Sequence, residues 1–153
     1  MIYDIPGYEK LKIDTLILDL NGTLTVGGNI PEGAKERLDK VKNLGLKVVL
    51  LTGNTRGDAD DLASELGIDW QQAKSAEDKR DIAKTLEPET CASIGNGRID
   101  LELMKVVKLA IVTLQAEGVH AETLANSDII VPTINDALDL FIDSDRLIAT
   151  MRR

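Results

Sequence analysis

LILDLNGTLT, residues 16–25, is the stretch whose reading decides the fold. Leu16, Ile17, Leu18 and Leu20 enclose a single aspartate, and the run breaks at once into Asn21-Gly22-Thr23. A short apolar run ended by a turn signal reads as a buried parallel strand whose carboxyl end opens into a loop. In open α/β sheets, that end is where ligands bind. Asp19 stands at the last position of the strand, where an ionised carboxylate is costly to desolvate. A metal, another cation or a phosphate loop is therefore expected beside it. On these ten residues alone, an Asp19 that only caps a turn fits equally well.

Toward the N terminus, Ile2 to Ile5 and Glu9 to Ile13 flank Pro6-Gly7, which predicts a short β-hairpin leading into the central strand. On the other side, Pro31 is a favoured first helical residue, and a helix is expected to about Asn43 with Ala34, Leu38, Val41 and Leu44 inward, stopping at Gly45. Lys47 to Leu51 reads as a second buried strand ending in Thr52-Gly53-Asn54-Thr55. A helix over roughly 58–66 stops at Gly67, and Ile68 to Gln72 is an edge-like strand. Ser75-Ala76-Glu77-Asp78 is an N-cap signature with acid in the first turn, opening a helix through Leu86. Strands over 91–94, 109–112 and 129–131 alternate with helices over 99–107 and 120–125. The last stretch, 134–152, reads as helix broken near Asp143-Ser144.

Short strands alternating with helices imply βαβ units: a three-layer, Rossmann-like α/β fold with a mostly parallel sheet and helices on both faces. No repeat, low-complexity segment or linker divides the chain, so residues 1–153 are expected to form a single domain.

The formal net charge of −8 over 153 residues argues against a partner of the nucleic-acid kind. The longest apolar runs, Val48 to Leu51 and Leu109 to Val112, fall far short of the ~20 residues needed to span a bilayer. The opening MIYDIPGYEKLKID lacks the basic and apolar regions of a signal peptide. Cys91 is the only cysteine, so nothing points to an oxidising compartment, and a cytoplasmic setting with no membrane partner is expected. Cys91 reads as a small core residue, and the sole histidine, His120, cannot build a His-based metal site.

Four stretches, in order, carry a resemblance. Asp19-Leu20-Asn21-Gly22-Thr23-Leu24-Thr25 resembles motif I of the haloacid dehalogenase-like (HAD) superfamily, D-x-D-G-T-L/V-T, and is closest to the P-type ATPase phosphorylation motif D-K-T-G-T-L-T. Leu50-Leu51-Thr52-Gly53-Asn54 resembles motif II, Ala76-Glu77-Asp78-Lys79 the segment that carries the motif III lysine, and Ile94-Gly95-Asn96-Gly97-Arg98-Ile99-Asp100 motif IV. Ala116 to Val131 is similar to the segment that follows motif IV in P-type phosphorylation domains. Only one loop and one helix fit between Asp19 and Thr52, and no cap domain fits there or after Thr52. The chain thus resembles the cap-less, free-standing soluble P-type ATPase group.

That resemblance implies a Mg²⁺-dependent phosphomonoester hydrolase. Asp19 would be the nucleophile that forms an aspartyl-phosphate, with Thr52 and Lys79 as phosphate ligands and Asn21 at the acid/base position. Gly22, Thr23, Gly53 and Asn54 would surround the phosphate, and Mg²⁺ would be held by Asp19, the Asn21 carbonyl, Asn96 and Asp100. Such an open site takes a phosphorylated small molecule or phosphoprotein, or a neighbouring copy in a homo-oligomer as a lid. Arg56 and Arg98 are candidates for substrate contact at its mouth.

Three departures weaken the expected activity. Asn21 stands where the general acid/base aspartate usually is, and an amide cannot shuttle a proton, help that is typically worth 10²–10⁴-fold. Asn96 replaces a magnesium-binding aspartate, and Asn54 is a third neutralised position. The alternative reading is a catalytically impaired phosphate-binding or regulatory module. The pairs Asn21-Gly22 and Asn96-Gly97 are also sequences prone to deamidation.

Overall fold

A computed structural model describes residues 1–115 and 117–153. Strands β1 (Ile2–Tyr3) and β2 (Leu11–Lys12) form the expected N-terminal hairpin as a separate two-stranded sheet. The main sheet holds β3 (Thr15–Leu18), β4 (Lys47–Thr52), β5 (Asp69–Gln72), β6 (Cys91–Gly95), β7 (Leu109–Thr113) and β8 (Ile129–Val131). All are parallel, in the order β5-β4-β3-β6-β7-β8.

Alternation along β3 explains the three layers. Leu16 and Leu18 pack with Leu38 and Val41 of α1 (Ala34–Asn43) and Phe141 of α6 (Ile134–Ile142), while Ile17 joins Ala83 of α3 (Ala76–Lys84) and Leu103 of α4 (Leu101–Met104). A strand covered on both faces is buried at every position, which is why TLIL lacks the polar alternation of a half-exposed strand and carries only Thr15 as a polar residue, at its start. The remaining helices are α2 (Ala59–Leu66), α5 (Ala121–Ala125) and α7 (Ser144–Met151). The sequence break near Asp143 is the junction of α6 and α7.

Two helices are shorter than their patterns suggest. α1 begins at Ala34 instead of Pro31, because Gly33 sits at φ +81°, a left-handed conformation that a helix cannot continue through. Leu44, expected inward, caps the other end and is 47% exposed. The helix expected over 99–107 is a 3₁₀ turn, Arg98–Asp100, followed by the single turn of α4. No helix of the described residues is long and apolar enough to cross a membrane.

From β3 the chain moves outward to β4 and β5, then crosses back to β6 on the other side. β3 and β6 therefore flank a topological switch point, and a crevice opens at their carboxyl ends.

Candidate active site

Asp19 follows the last residue of β3, and its N–H donates to the Ile94 carbonyl of β6 at 3.0 Å. The chain then turns tightly: Gly22 N–H donates to Thr25 O at 2.8 Å and Thr25 N–H to Leu20 O at 2.9 Å. Gly22 has φ +77°, and a Cβ there would stand 2.5 Å from Asn96 Nδ2. Glycine thus lets the motif I turn lie directly against the loop after β6.

Lys79 enters from the first turn of α3. Its register is fixed by a capping box in which Ser75 Oγ accepts from Asp78 N–H and Asp78 Oδ2 accepts from Ser75 N–H. Lys79 is fully buried, and Nζ donates to Asp19 Oδ1 and Asp100 Oδ1, both at 2.6 Å. Asp100 Oδ2 accepts from the N–H groups of Asn96 at 3.0 Å and Gly97 at 2.9 Å. A Cβ at Gly95 would lie 2.6 Å from Asp100 Cγ, so the carboxylate reaches the loop only because Gly95 has no side chain.

Two carboxylates share one ammonium, leaving one negative charge in excess in a buried cluster. Desolvation, and then the neighbouring Asp100, push Asp19 up to about 6 against the pull of Lys79. For Lys79, burial alone would lower the pKa, but Asp100 and Asp19 outweigh it and hold the ammonium above its ordinary range.

Asp19 and Lys79 of this cluster line a cavity of about 420 Å³, with Asp100 buried beside them. Asp19, Asn21, Thr52, Gly53, Lys79 and Asn96, all singled out in the sequence, line it. Lys74 and Thr55 line it too, and sequence reasoning missed both. Thr52 is 1% exposed, and its Oγ1 accepts from Asn54 N–H at 3.1 Å. Thr23 Oγ1 lies 3.4 Å from Asp19 Oδ2 and 3.2 Å from Asn96 Oδ1, bridging motifs I and IV.

Other sequence candidates are placed differently. Asn54 adopts φ +54°, and its Oδ1 accepts from Ala59 N–H at 3.0 Å, so its amide caps α2. Arg56 donates to Asn21 Oδ1, whereas Arg98 is an exposed residue of the 3₁₀ turn. Ala116, at the head of the segment resembling P-type domains, lies outside the described residues. Both Asn-Gly steps are held: the Gly22 and Gly97 N–H groups that would attack the preceding amide are donated to Thr25 O and Asp100 Oδ2.

A further residue had no local signal. Gln115 Nε2 donates to Gly22 O at 3.2 Å and Thr23 O at 2.7 Å, while its Oε1 accepts from Ile134 N–H at 3.0 Å. It ties the motif I turn to the start of α6. Only long-range contacts reveal it.

The donor set suits a hard cation. Asp19 and Asn96 bring a carboxylate and an amide to the cavity lining, and the single ammonium of Lys79 serves two carboxylates. Mg²⁺ is ordinarily held by one or two carboxylates with water and substrate oxygens completing its shell. Among the described residues no group of three or more His, Cys, Asp or Glu side chains converges as a metal site.

Residues 16–75 match the family model described as haloacid dehalogenase-like hydrolase. The chain is 31% identical over 140 residues to a soluble P-type ATPase-like phosphatase of Methanocaldococcus jannaschii, covering 88% of this chain and 51% of that protein. An uncharacterised protein of the same archaeon is 47% identical over 60 residues, which are 39% of this chain and 64% of that protein. The chain thus spans between half and two thirds of the length of these relatives. Among solved structures, the 3-deoxy-D-manno-octulosonate 8-phosphate phosphatase of Moraxella catarrhalis, in complex with magnesium, phosphate and KDO, has a TM-score of 0.73. Its identity is 22%, over 92% of this chain and 94% of that one, so the likeness is one of fold.

Proposed function

This chain is a haloacid dehalogenase-like protein resembling the soluble P-type ATPase-like group, and on that premise we propose that it hydrolyses phosphate monoesters through Asp19. The observation that carries this reading is the buried Asp19–Lys79–Asp100 cluster, whose Asp19 and Lys79 line a cavity at the sheet's switch point.

Asp19 Oδ2 attacks phosphorus, the bond to the leaving oxygen breaks, and an aspartyl-phosphate results. Lys79 holds the nucleophile by Oδ1, which leaves Oδ2 to the substrate. Thr52, Gly53 and Lys74 flank the same cavity and meet the phosphoryl oxygens, where phosphoryl transfer needs charge neutralised. Asp100 keeps Lys79 and the motif IV loop in place through its three hydrogen bonds. Mg²⁺, bound through Asp19 and Asn96 with the Asn21 carbonyl and the charge of Asp100 near by, would supply further neutralisation of those oxygens. Water then hydrolyses the acyl phosphate slowly, because Asn21 cannot act as a general base. The substrate is a phosphorylated small molecule or a phosphoprotein that fits an open mouth.

The test is phosphate release from 4-nitrophenyl phosphate, with and without millimolar Mg²⁺, by wild type, Asp19→Asn and Asn21→Asp. Mg²⁺-dependent turnover that Asp19→Asn abolishes and Asn21→Asp raises is the expected result. Wild type no more active than Asp19→Asn would overturn the enzyme and leave a phosphate-binding or regulatory module.

A further inference from the structure

Arg56, in the loop after β4, reaches across to the motif I turn. Its Nε–H donates to Asn21 Oδ1 at 3.3 Å, and its Nη1 lies 3.0 Å from where a Cβ on Gly28 would stand. Gly28 has φ +84°, so glycine there permits the turn and leaves the guanidinium its seat. One side chain thus holds Asn21 of the motif I turn and lies over Gly28 of the loop that follows, and Asn21 is a wall of the cavity.

The chemistry of the two groups fixes the orientation of the amide. A guanidinium has donors only, so the Asn21 atom facing it must be the oxygen. The NH₂ group then points away from Arg56. We propose that Arg56 is a positioning residue which, by holding Oδ1, presents Asn21 Nδ2 to the cavity as a fixed hydrogen-bond donor for the oxygen that leaves phosphorus. This rests on the phosphatase reading above.

The balance of the step is simple. As the Asp19–phosphorus bond forms, the bond from phosphorus to the leaving oxygen breaks, and its electron pair stays on that oxygen. The oxygen accepts a hydrogen bond from Asn21 and takes its proton from water; no proton leaves the amide. The fixed positive charge of Arg56 polarises the amide and strengthens its N–H as a donor. Charge on the leaving group is therefore stabilised without being neutralised, and the assistance matters most for poor leaving groups.

The test compares kcat/KM for phenyl phosphate, a poor leaving group, and 4-nitrophenyl phosphate, a good one. One well-placed hydrogen bond is worth about a factor of ten, so Arg56→Ala is expected to lose on the order of tenfold on phenyl phosphate and about twofold or less on 4-nitrophenyl phosphate. Arg56→Lys recovers part of the loss, and in an Asn21→Ala background Arg56→Ala has no further effect. Arg56 is exposed, so the melting temperature of each variant should match wild type. Equal losses on both substrates, or losses that add in the double variant, would overturn the proposal.

If Asp19→Asn proves as active as wild type, the phosphatase reading falls, and the side-chain amide resonance of Asn21 decides the rest. A shift on adding inorganic phosphate that disappears in Arg56→Ala supports the positioning role. The same shift in both proteins refutes it.

Discussion

Lys79 Nζ lies 2.6 Å from Asp19 Oδ1, although sixty positions separate the two residues in sequence. The same ammonium serves Asp100 at 2.6 Å. Each of the three groups would be unstable in the core alone, so any change to one shows in the others.

Removing the ammonium is the most damaging change. Lys79→Met leaves two buried carboxylates without their cation, and breaking a buried pair in this way costs about 3–5 kcal/mol. A melting temperature lower by roughly 10 °C and loss of turnover are expected. Calorimetry that finds wild-type stability would show that the carboxylates do not depend on Lys79.

Asp19→Asn is expected to inactivate the protein yet stabilise it at neutral pH when no metal is present. In the folded chain the Asp19 pKa is raised to about 6 from an ordinary 3.8. The fold therefore binds the extra proton between those values, and stability falls as pH rises through them. The stabilisation carried by that proton is lost as pH rises through about 6. Urea unfolding with a chelator should find the two proteins similar near pH 3.5 and the variant ahead at pH 7.5. A gap that does not change with pH would contradict this.

Gln115→Leu keeps the size of the side chain and removes its hydrogen bonds. The Thr23 carbonyl and the Ile134 N–H then lose their partner, the Gly22 carbonyl keeps only the 3.5 Å donation from Thr113 Oγ1, and each buried orphan costs about 1–3 kcal/mol. A loss of about 3 kcal/mol in urea unfolding is expected, together with a raised KM as the motif I turn loosens. Unchanged stability would mean that water replaces the amide.

Asn96→Asp should tighten Mg²⁺ binding on the order of tenfold or more, because a full charge then faces the cation. The same substitution loses the donation from Nδ2 to Gly118 O at 2.8 Å and adds a third carboxylate to the cluster. Metal-free protein is therefore expected to be less stable than wild type, and Mg²⁺-loaded protein at least as stable. Isothermal titration and melting curves with and without Mg²⁺ check both signs; equal affinity for wild type and variant would remove Asn96 from the proposed metal site.

Much of the fold was legible because its signals are local. Apolar runs, the Ser75 cap, Gly45 and Gly67 at helix ends and the break at Asp143 act through neighbours in the chain. The glycine-rich strand ends also marked most of the cavity's lining, since parallel strands deliver their carboxyl ends to one edge. Which side chains meet there is a different matter. That Gln115 braces Gly22 depends on the crossover from β5 to β6, that Arg56 holds Asn21 depends on the pairing of β3 with β4, and that Asn54 caps α2 depends on the left-handed turn it adopts at φ +54°. The start of α1 was missed for a related reason: Pro31 favours a helix locally, but Gly33 takes a left-handed turn. The sequence by itself determined the strands, the helices and the chemical types at the strand ends. Only the tertiary structure decided which donor meets which acceptor, because buried polar groups must be satisfied by whatever folding places within hydrogen-bond reach.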